Sequence, residues 1–450
     1  MAPLRTLGLV ALSLFSSIAQ GLPSHRLTSR AALLPSEDPF YVAPEGFEDT
    51  APGTILRSRP TPAKIAAFGI APANLEAAHQ LLIRSSDNFG NPVAVVSTVL
   101  VPHGADYSKL VSYQFAEDAS SPNCCPSYVM LEGSETGGDG GTSTSHAEFI
   151  LIIAALEKGW VVTAPDHEGP TAAYLANLRA GYHTLDGIRG TLASGDITGV
   201  SSDATVVMWG YSGGSLASGF AAELQPSYAP ELAIAGAALG GTVPNIKTAL
   251  AAINEGDTAG LIPAGFLGLA HEYPEIKTLL DEQLIPEKRE EFMMAEVECF
   301  GANVDRFKGM DVYTYLKDRD ALENPTIDAI LAENGMGQHT PAIPLLVYKA
   351  EKDEISWIND TTTLVRKYCD EGASVDYRIS ETGAHSDMAI VGAPDALLWI
   401  EDRMQHLPLP QEGCVTSTEL TPLASAEALR VIGEVLVDLL LDLLHKPIGE

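Results

Sequence analysis

Basic residues are scarce in this chain of 450 residues: 27 lysines and arginines stand against 59 aspartates and glutamates, a formal net charge of −32 at pH 7. Nucleic acids are held through basic patches that answer their phosphates, so they are excluded as natural partners. Electrostatic docking on anionic lipid is disfavoured for the same reason. A neutral ester remains compatible with the acidity, which otherwise serves solubility. Cysteine is sparse as well: five, none in a C-x-x-C or other zinc-ligand spacing, so no metal centre is expected. The glycine-rich run from Gly133 to Gly141 lacks the lysine of a phosphate-binding loop and the spacing of a dinucleotide fingerprint, and reads as a flexible loop. No apolar run reaches the ~20 residues of a membrane span.

What is present begins with a secretory leader. Arg5 ends a short polar region, Leu7 to Phe15 is apolar, and Ser17, Ile18 and Ala19 supply small residues for cleavage near Ala19, which predicts residues 1–19 as a removed signal peptide and a secreted chain with no transmembrane anchor. Export makes disulfides permissible. The residues alone suggest Cys369 with Cys414, and Cys299 with either Cys124 or Cys125. Asn359, followed by Asp360 and Thr361, is a glycosylation sequon.

The chemistry is carried by Gly210, Tyr211, Ser212, Gly213 and Gly214. The pattern glycine-x-serine-x-glycine is weak by itself. Here it follows a β-branched run from Ala204 and leads into small helix-compatible residues, which makes it a nucleophile elbow, with the serine hydroxyl raised at the end of a strand. A serine needs a base, and the base an acid to fix its tautomer. Asp353 lies just past the apolar run Ile343 to Tyr348, and His385 just past Val375 to Ile379. The order Ser212, Asp353, His385 is that of α/β-hydrolases. Among the other histidines, His146, His167 and His183 precede the elbow, His271 and His339 fall in or beside a helical insertion, and His406 and His445 follow helices. Glu351 and Glu354 stay open as alternatives to Asp353. Oxyanion stabilisation needs two preorganised N–H donors, expected at Gly213 and, after the strand Lys109 to Phe115, at Asp118.

Strand-like and helix-like runs alternate along most of the chain, which predicts a mostly parallel, doubly wound sheet with helices on both faces. Leu81 to Ser85 and Val93 to Val101 read as a hairpin. Further helices are expected over 146–158, 174–192, 357–368 and 395–405. Strand signal vanishes from about 242 to 340, where charged pieces at 277–284, 287–298 and 311–318 suggest an inserted helical cap. Within it, the apolar stretch from Ala259 to Ala270 is either acyl-chain lining, a mobile lid, or the core of the cap. The expected divisions are 20–241 and 341–410 for the core, 242–340 for the cap and 411–450 for a helical tail whose Leu429, Ile432, Leu436, Leu439 and Leu443 pack across the domain.

Taken with Asp38 to Tyr41, Pro52 to Arg57, Tyr113 to Asp118, Asn123 to Tyr128, Asp166 to Pro170 and Gly240 to Thr242, these motifs resemble the fungal secretory lipases, the yeast lipase A-like branch of α/β-hydrolases, over nearly the whole mature sequence. The resemblance implies Ser212, Asp353 and His385 as the triad, Asp118 and Gly213 as oxyanion donors, a helical cap and no cofactor. It further implies disulfides Cys124–Cys299 and Cys369–Cys414, although Cys125 beside Cys124 departs from the pattern. The expected activity is hydrolysis of neutral carboxylic esters such as triacylglycerols, with contact at a lipid–water interface through the cap. A narrow deacetylase of fungal secondary metabolites is the alternative, ahead of a serine peptidase or a non-catalytic binding protein on the same scaffold.

Overall fold

The computed structural model describes residues 32–67, 69, 71–409, 413–442 and 446–449, so the expected leader lies outside the described residues. Ten strands form one sheet: β1 Ile55–Pro60, β2 Ala77–Ser86, β3 Pro92–Val101, β4 Asp106–Gln114, β5 Trp160–Pro165, β6 Thr205–Tyr211, β7 Ile234–Gly240, β8 Leu345–Ala350, β9 Val375–Ser380 and β10 Val415–Glu419. Their spatial order is β1-β2-β3-β5-β4-β6-β7-β8-β9-β10. The pairings β1–β2, β2–β3 and β3–β5 are antiparallel, and the six from β5–β4 to β9–β10 are parallel. Parallel strands buried on both faces need continuous apolar sequence. β5 and β8 are buried at every position, and Trp209 in β6 is wholly enclosed.

Local chemistry explains the hairpin between β2 and β3. Asp87 accepts the N–H groups of Phe89 and Asn91 on its side chain, and Gly90 takes a left-handed φ of 80° that closes the turn. Helices α1 Ser143–Glu157, α2 Asn177–Leu192 and α3 Gly213–Tyr228 follow. α2 and α3 approach closely because Gly181 has no side chain: a Cβ there would lie 2.8 Å from Leu224 Cδ1. The helix expected from residue 174 begins at Asn177 instead. Ala172 and Leu175 hold left-handed φ angles of 48° and 69°, which a right-handed helix cannot include.

Between β7 and β8 lie six helices: α4 Ile246–Ile253, α5 Leu261–Glu272, α6 Pro274–Gln283, α7 Pro286–Met293, α8 Phe300–Phe307 and α9 Pro325–Glu333. Proline opens α6, α7 and α9, where its missing N–H has no intrahelical use. The apolar stretch from 259 is α5, buried from Leu261 through Leu269, as a helix apolar on all sides must be. Residues 311–318, expected to be helical, form a single 3-10 turn, Val312–Tyr315. The sheet resumes with α10 Ile358–Asp370, α11 His385–Val391 and α12 Ala393–Met404, and the chain continues to α13 Ala426–Asp442. α3 and α12 both pack on β6 and β7.

The tail departs from expectation twice. β10 is an added strand, missed because its Thr416, Ser417, Thr418 and Glu419 are polar, as an exposed edge requires. α13 buries Ala428 and Val431 and leaves Leu429 about half exposed, while Leu443 and the side chains of Leu436 and Leu439 lie outside the described ones. Cys369 is bonded to Cys414, anchoring β10 to α10, and Cys124 to Cys299, tying the loop after β4 to the helical block. Cys125 is a buried free thiol. Cys124 and Cys299 are 175 residues apart in sequence, so the bond restricts a long loop in the unfolded chain. Replacing Cys299 by Ser should lower unfolding stability by about 2–4 kcal/mol, read as a shifted denaturant midpoint.

Candidate active site

Ser212 sits between the end of β6 and the start of α3 with φ 52° and ψ −120°, outside the regions that ordinary residues prefer. Two glycines make this corner possible. A Cβ on Gly210 would fall 2.2 Å from Gly214 O, and one on Gly214 would fall 2.0 Å from Gln114 O. The Ser212 N–H donates to Gly240 O at 2.9 Å, fixing the corner to the neighbouring strand.

The parallel register then delivers the other two groups. Asp353 follows β8 and His385 follows β9, both at the carboxyl edge beside the elbow. His385 Nε2 lies 2.8 Å from Ser212 Oγ, and His385 Nδ1 lies 2.7 Å from Asp353 Oδ2. Only if Nδ1 carries the ring proton can Nε2 accept from the serine, and the carboxylate enforces that tautomer. Burial pushes the Asp353 carboxyl up, but the His385 bond, Lys349 and the Ser356 N–H outweigh it and hold the group at about 2. Glu354 reaches His385 too, through the backbone: its carboxylate accepts the His385 N–H at 2.9 Å. Tyr211, from the elbow itself, donates its hydroxyl to His385 O. His146, His167 and His183 are buried away from the triad, bonded to the carbonyls of Val129, Phe115 and His167 respectively.

Gly213 is the first residue of α3, so its N–H has no intrahelical acceptor and points at the helix's anion-attracting end. Asp118 lies opposite, buried, at a left-handed φ of 46°. A Cβ on Gly213 would sit 1.9 Å from Asp118 Oδ1, so only glycine allows this approach. Both carboxyl oxygens of Glu168 are buried near this loop without a hydrogen-bond partner among the described residues. Beneath the loop, burial pushes Asp118 and Asp166 up to about 7 and Glu148 to about 8. Glu117 and Glu168 are held well above the usual range by burial and by their acidic neighbours.

A narrow cleft opens at Ser212, Gly213 and Asp118. Its walls are apolar: Tyr174 and Leu175 from the left-handed segment, Ile246, Leu250 and Ile253 from α4, and Leu261 from α5. A second, smaller recess lies beside Gly213, edged by Asp118, Glu168 and Asn177. Sequence reasoning missed Lys349, Glu354's backbone contact and the Tyr174–Leu175 wall. A lysine near the end of an otherwise apolar strand was the one available signal.

Comparison with known proteins fits this geometry. The secretory lipase profile matches residues 135–411, more than half of the chain. The chain belongs to the secretory lipase family. Lipase A of Arthroderma benhamiae is 50% identical over 94% of this chain and 91% of its own length. Lipase 5 of Candida albicans is 42% identical over 82% and 81%, and the trichothecene C-3 esterase of Fusarium sporotrichioides 36% over 86% and 88%. Among solved structures, Candida antarctica lipase A superposes with a TM-score of 0.81 at 28% identity, covering 91% of this chain and 95% of that one. The fold is thus that of an α/β-hydrolase and the protein is a carboxylic ester hydrolase. No described helix is long and apolar enough to cross a membrane.

The buried acids of this secretory lipase give stability a pH dependence of definite sign. A carboxyl whose folded value is raised keeps its proton after the unfolded chain has lost it, so stability falls as pH rises toward the folded value. His167, lowered to about 4 by burial, acts oppositely, but only below the ordinary imidazole value of about 6.5. Between about pH 6.5 and 8 the carboxyls Asp118, Asp166 and Glu148 act alone in this set, and the melting temperature should decline over that window. Thermal scans at fixed ionic strength check this, and Asp118→Asn should flatten the decline.

Proposed function

We propose that Ser212, Asp353 and His385 form the catalytic triad of a secreted lipase that cleaves neutral lipid esters. The contact of 2.8 Å between His385 Nε2 and Ser212 Oγ carries this reading. His385 takes the serine proton as Oγ attacks the ester carbonyl, and Asp353 stabilises the imidazolium that forms. The tetrahedral oxyanion is held by the Gly213 amide and by that of Asp118. Collapse expels the alcohol, protonated by His385. Water, activated by the same base, then releases the acid.

The helical block over 242–340 acts as the cap on a core made of 20–241 and 341–410, with 411–450 as a tail. Export through the leader at 1–19 and a glycan on Asn359, which is exposed on α10, complete the secreted form. The apolar walls supplied by α4 and α5 favour a medium or long acyl chain, such as those of triacylglycerols, and approach to an uncharged lipid–water interface on the cap side. The Fusarium relative supports a second reading, removal of acetyl groups from a polycyclic alcohol.

Ser212→Ala should lower kcat by about 10³- to 10⁶-fold without changing the circular dichroism spectrum, and retained activity would remove the serine from the mechanism. A p-nitrophenyl ester series from acetate to palmitate decides the substrate class. Each further buried methylene adds about 0.8 kcal/mol, so kcat/KM should rise at least about tenfold from acetate to octanoate. A maximum at acetate would establish the deacetylase reading instead.

A further inference from the structure

One buried cation stands beside the site without a part in the steps above. Lys349 is the fifth residue of β8, and its side chain is wholly out of solvent. A buried ammonium persists only when its protons are engaged. Its Nζ donates to Thr242 O at 2.9 Å and to Asp353 Oδ2 at 2.9 Å. The second acceptor is the same oxygen that His385 Nδ1 meets at 2.7 Å. Asp353 Oδ1 is filled by the amides of Ile355 and Ser356 at 3.0 and 2.8 Å, so four donors surround the carboxylate.

The lysine also closes a ring. Ser212 N–H is held by Gly240 O at 2.9 Å, and two residues further on Thr242 O holds Lys349. Lys349 holds Asp353, Asp353 holds His385, and His385 returns to Ser212 Oγ. The elbow and the ends of β7, β8 and β9 are thereby joined through one ammonium group.

Resting on the reading of Ser212, Asp353 and His385 as the triad, we propose that Lys349 is a positioning residue for ester hydrolysis: it pins the Asp353 carboxylate to the Thr242 carbonyl and opposes the gain of positive charge on His385, so the site keeps working in acid. The pin serves geometry, because small displacements of a catalytic group lose large factors in rate. The charge weakens the base and, equally, delays its capture by a proton from solvent. Other groups face the pair. Glu354 accepts the His385 N–H at 2.9 Å, Asp387 the Ala384 N–H at 3.0 Å and Asp360 the Thr248 hydroxyl at 2.6 Å. The phenols of Tyr211, Tyr348 and Tyr377 are kept neutral by burial. All three carboxylates favour a proton on the imidazole, as does a chain of net charge −32. Lys349 is the local counterweight to them.

The test is the pH profile of kcat and KM on p-nitrophenyl butyrate for Lys349→Met and Lys349→Gln, beside the wild type and Asp353→Asn. A unit charge about 5 Å from a partly buried titrating group moves its titration by about one pH unit or more. Both lysine variants should keep KM, lose at least about tenfold in kcat, and show the acidic limb of kcat/KM displaced upward by about one pH unit. Folded variants whose limb stays at the wild-type position overturn the proposal even if kcat falls. Should neither variant fold, ¹⁵N-lysine spectra of the wild type replace them: the Lys349 ammonium signal should shift along the acidic limb of activity, and a signal indifferent to pH across that limb overturns the proposal. Asp353→Asn keeps the two levels apart. Full activity there removes the triad beneath the proposal, whereas loss of activity with unmoved limbs in the lysine variants removes only the role of Lys349.

Discussion

Ser212 holds φ 52° and ψ −120° only because the chain around it is compressed against its neighbours. Such a conformation stores on the order of 1–3 kcal/mol and survives where the surroundings over-determine it. Here they do so from three sides. Gly210 abuts the carbonyl of Gly214, Gly214 abuts that of Gln114 at the end of β4, and the Ser212 N–H is bound to Gly240 at the end of β7. The corner is therefore wedged between the two strands that flank β6. A side chain at Gly214 would push the elbow off β4, from which the Asp118 loop continues, and one at Gly210 would prise the end of β6 from the first turn of α3.

A second constraint is electrostatic, and it works against the first impression left by a chain of net charge −32. The loop proposed to bind the oxyanion lies among five buried carboxyl groups: Glu117, Asp118, Glu148, Asp166 and Glu168. A fully ionised cluster there would repel the negative charge that ester hydrolysis builds beside Gly213. Burial lessens the difficulty by shifting these groups toward their protonated forms, the reverse of Asp353, which is held ionised by His385, Lys349 and two backbone amides. Two sets of carboxyl groups on neighbouring loops are thus biased in opposite directions, one by burial and one by the donors it reaches.

How much of this was legible in the sequence follows from where the information lies. The elbow is local: Gly210, Ser212 and Gly214 specify their own turn, so the pattern could be read directly. Asp353 and His385 are distant in sequence, but each follows an apolar strand by a few residues, and parallel topology makes that position equivalent to proximity. The left-handed Ala172 and Leu175 could not be seen, because nothing in an alanine or leucine marks a positive φ; the helix was accordingly begun too early. β10 was hidden by its own polarity, and at the start of the tail helix the small Ala428 and Val431 bury more completely than the larger Leu429. Lys349 stood out only as a lysine in an apolar strand, and its role was hidden for a different reason. Its two acceptors, Thr242 O and Asp353 Oδ2, converge only once β7 and β8 are paired.

The division of labour between the two sides of the cleft follows from these same facts. The core side supplies every polar group near Ser212, and each is locked by strand pairing or by a bond to another strand's end. Tolerance for change there is small. The opposite side, from α4 and α5, supplies Ile246, Leu250, Ile253 and Leu261, none of which makes a directional bond to the triad. Apolar contacts depend on volume and shape, so that wall can be reshaped by substitutions that leave the core untouched. Relatives that include both lipases and a trichothecene C-3 esterase fit such an arrangement: on the proposed mechanism, the acyl-transfer geometry is fixed on the sheet while the packing of the helices between β7 and β8 is free to vary.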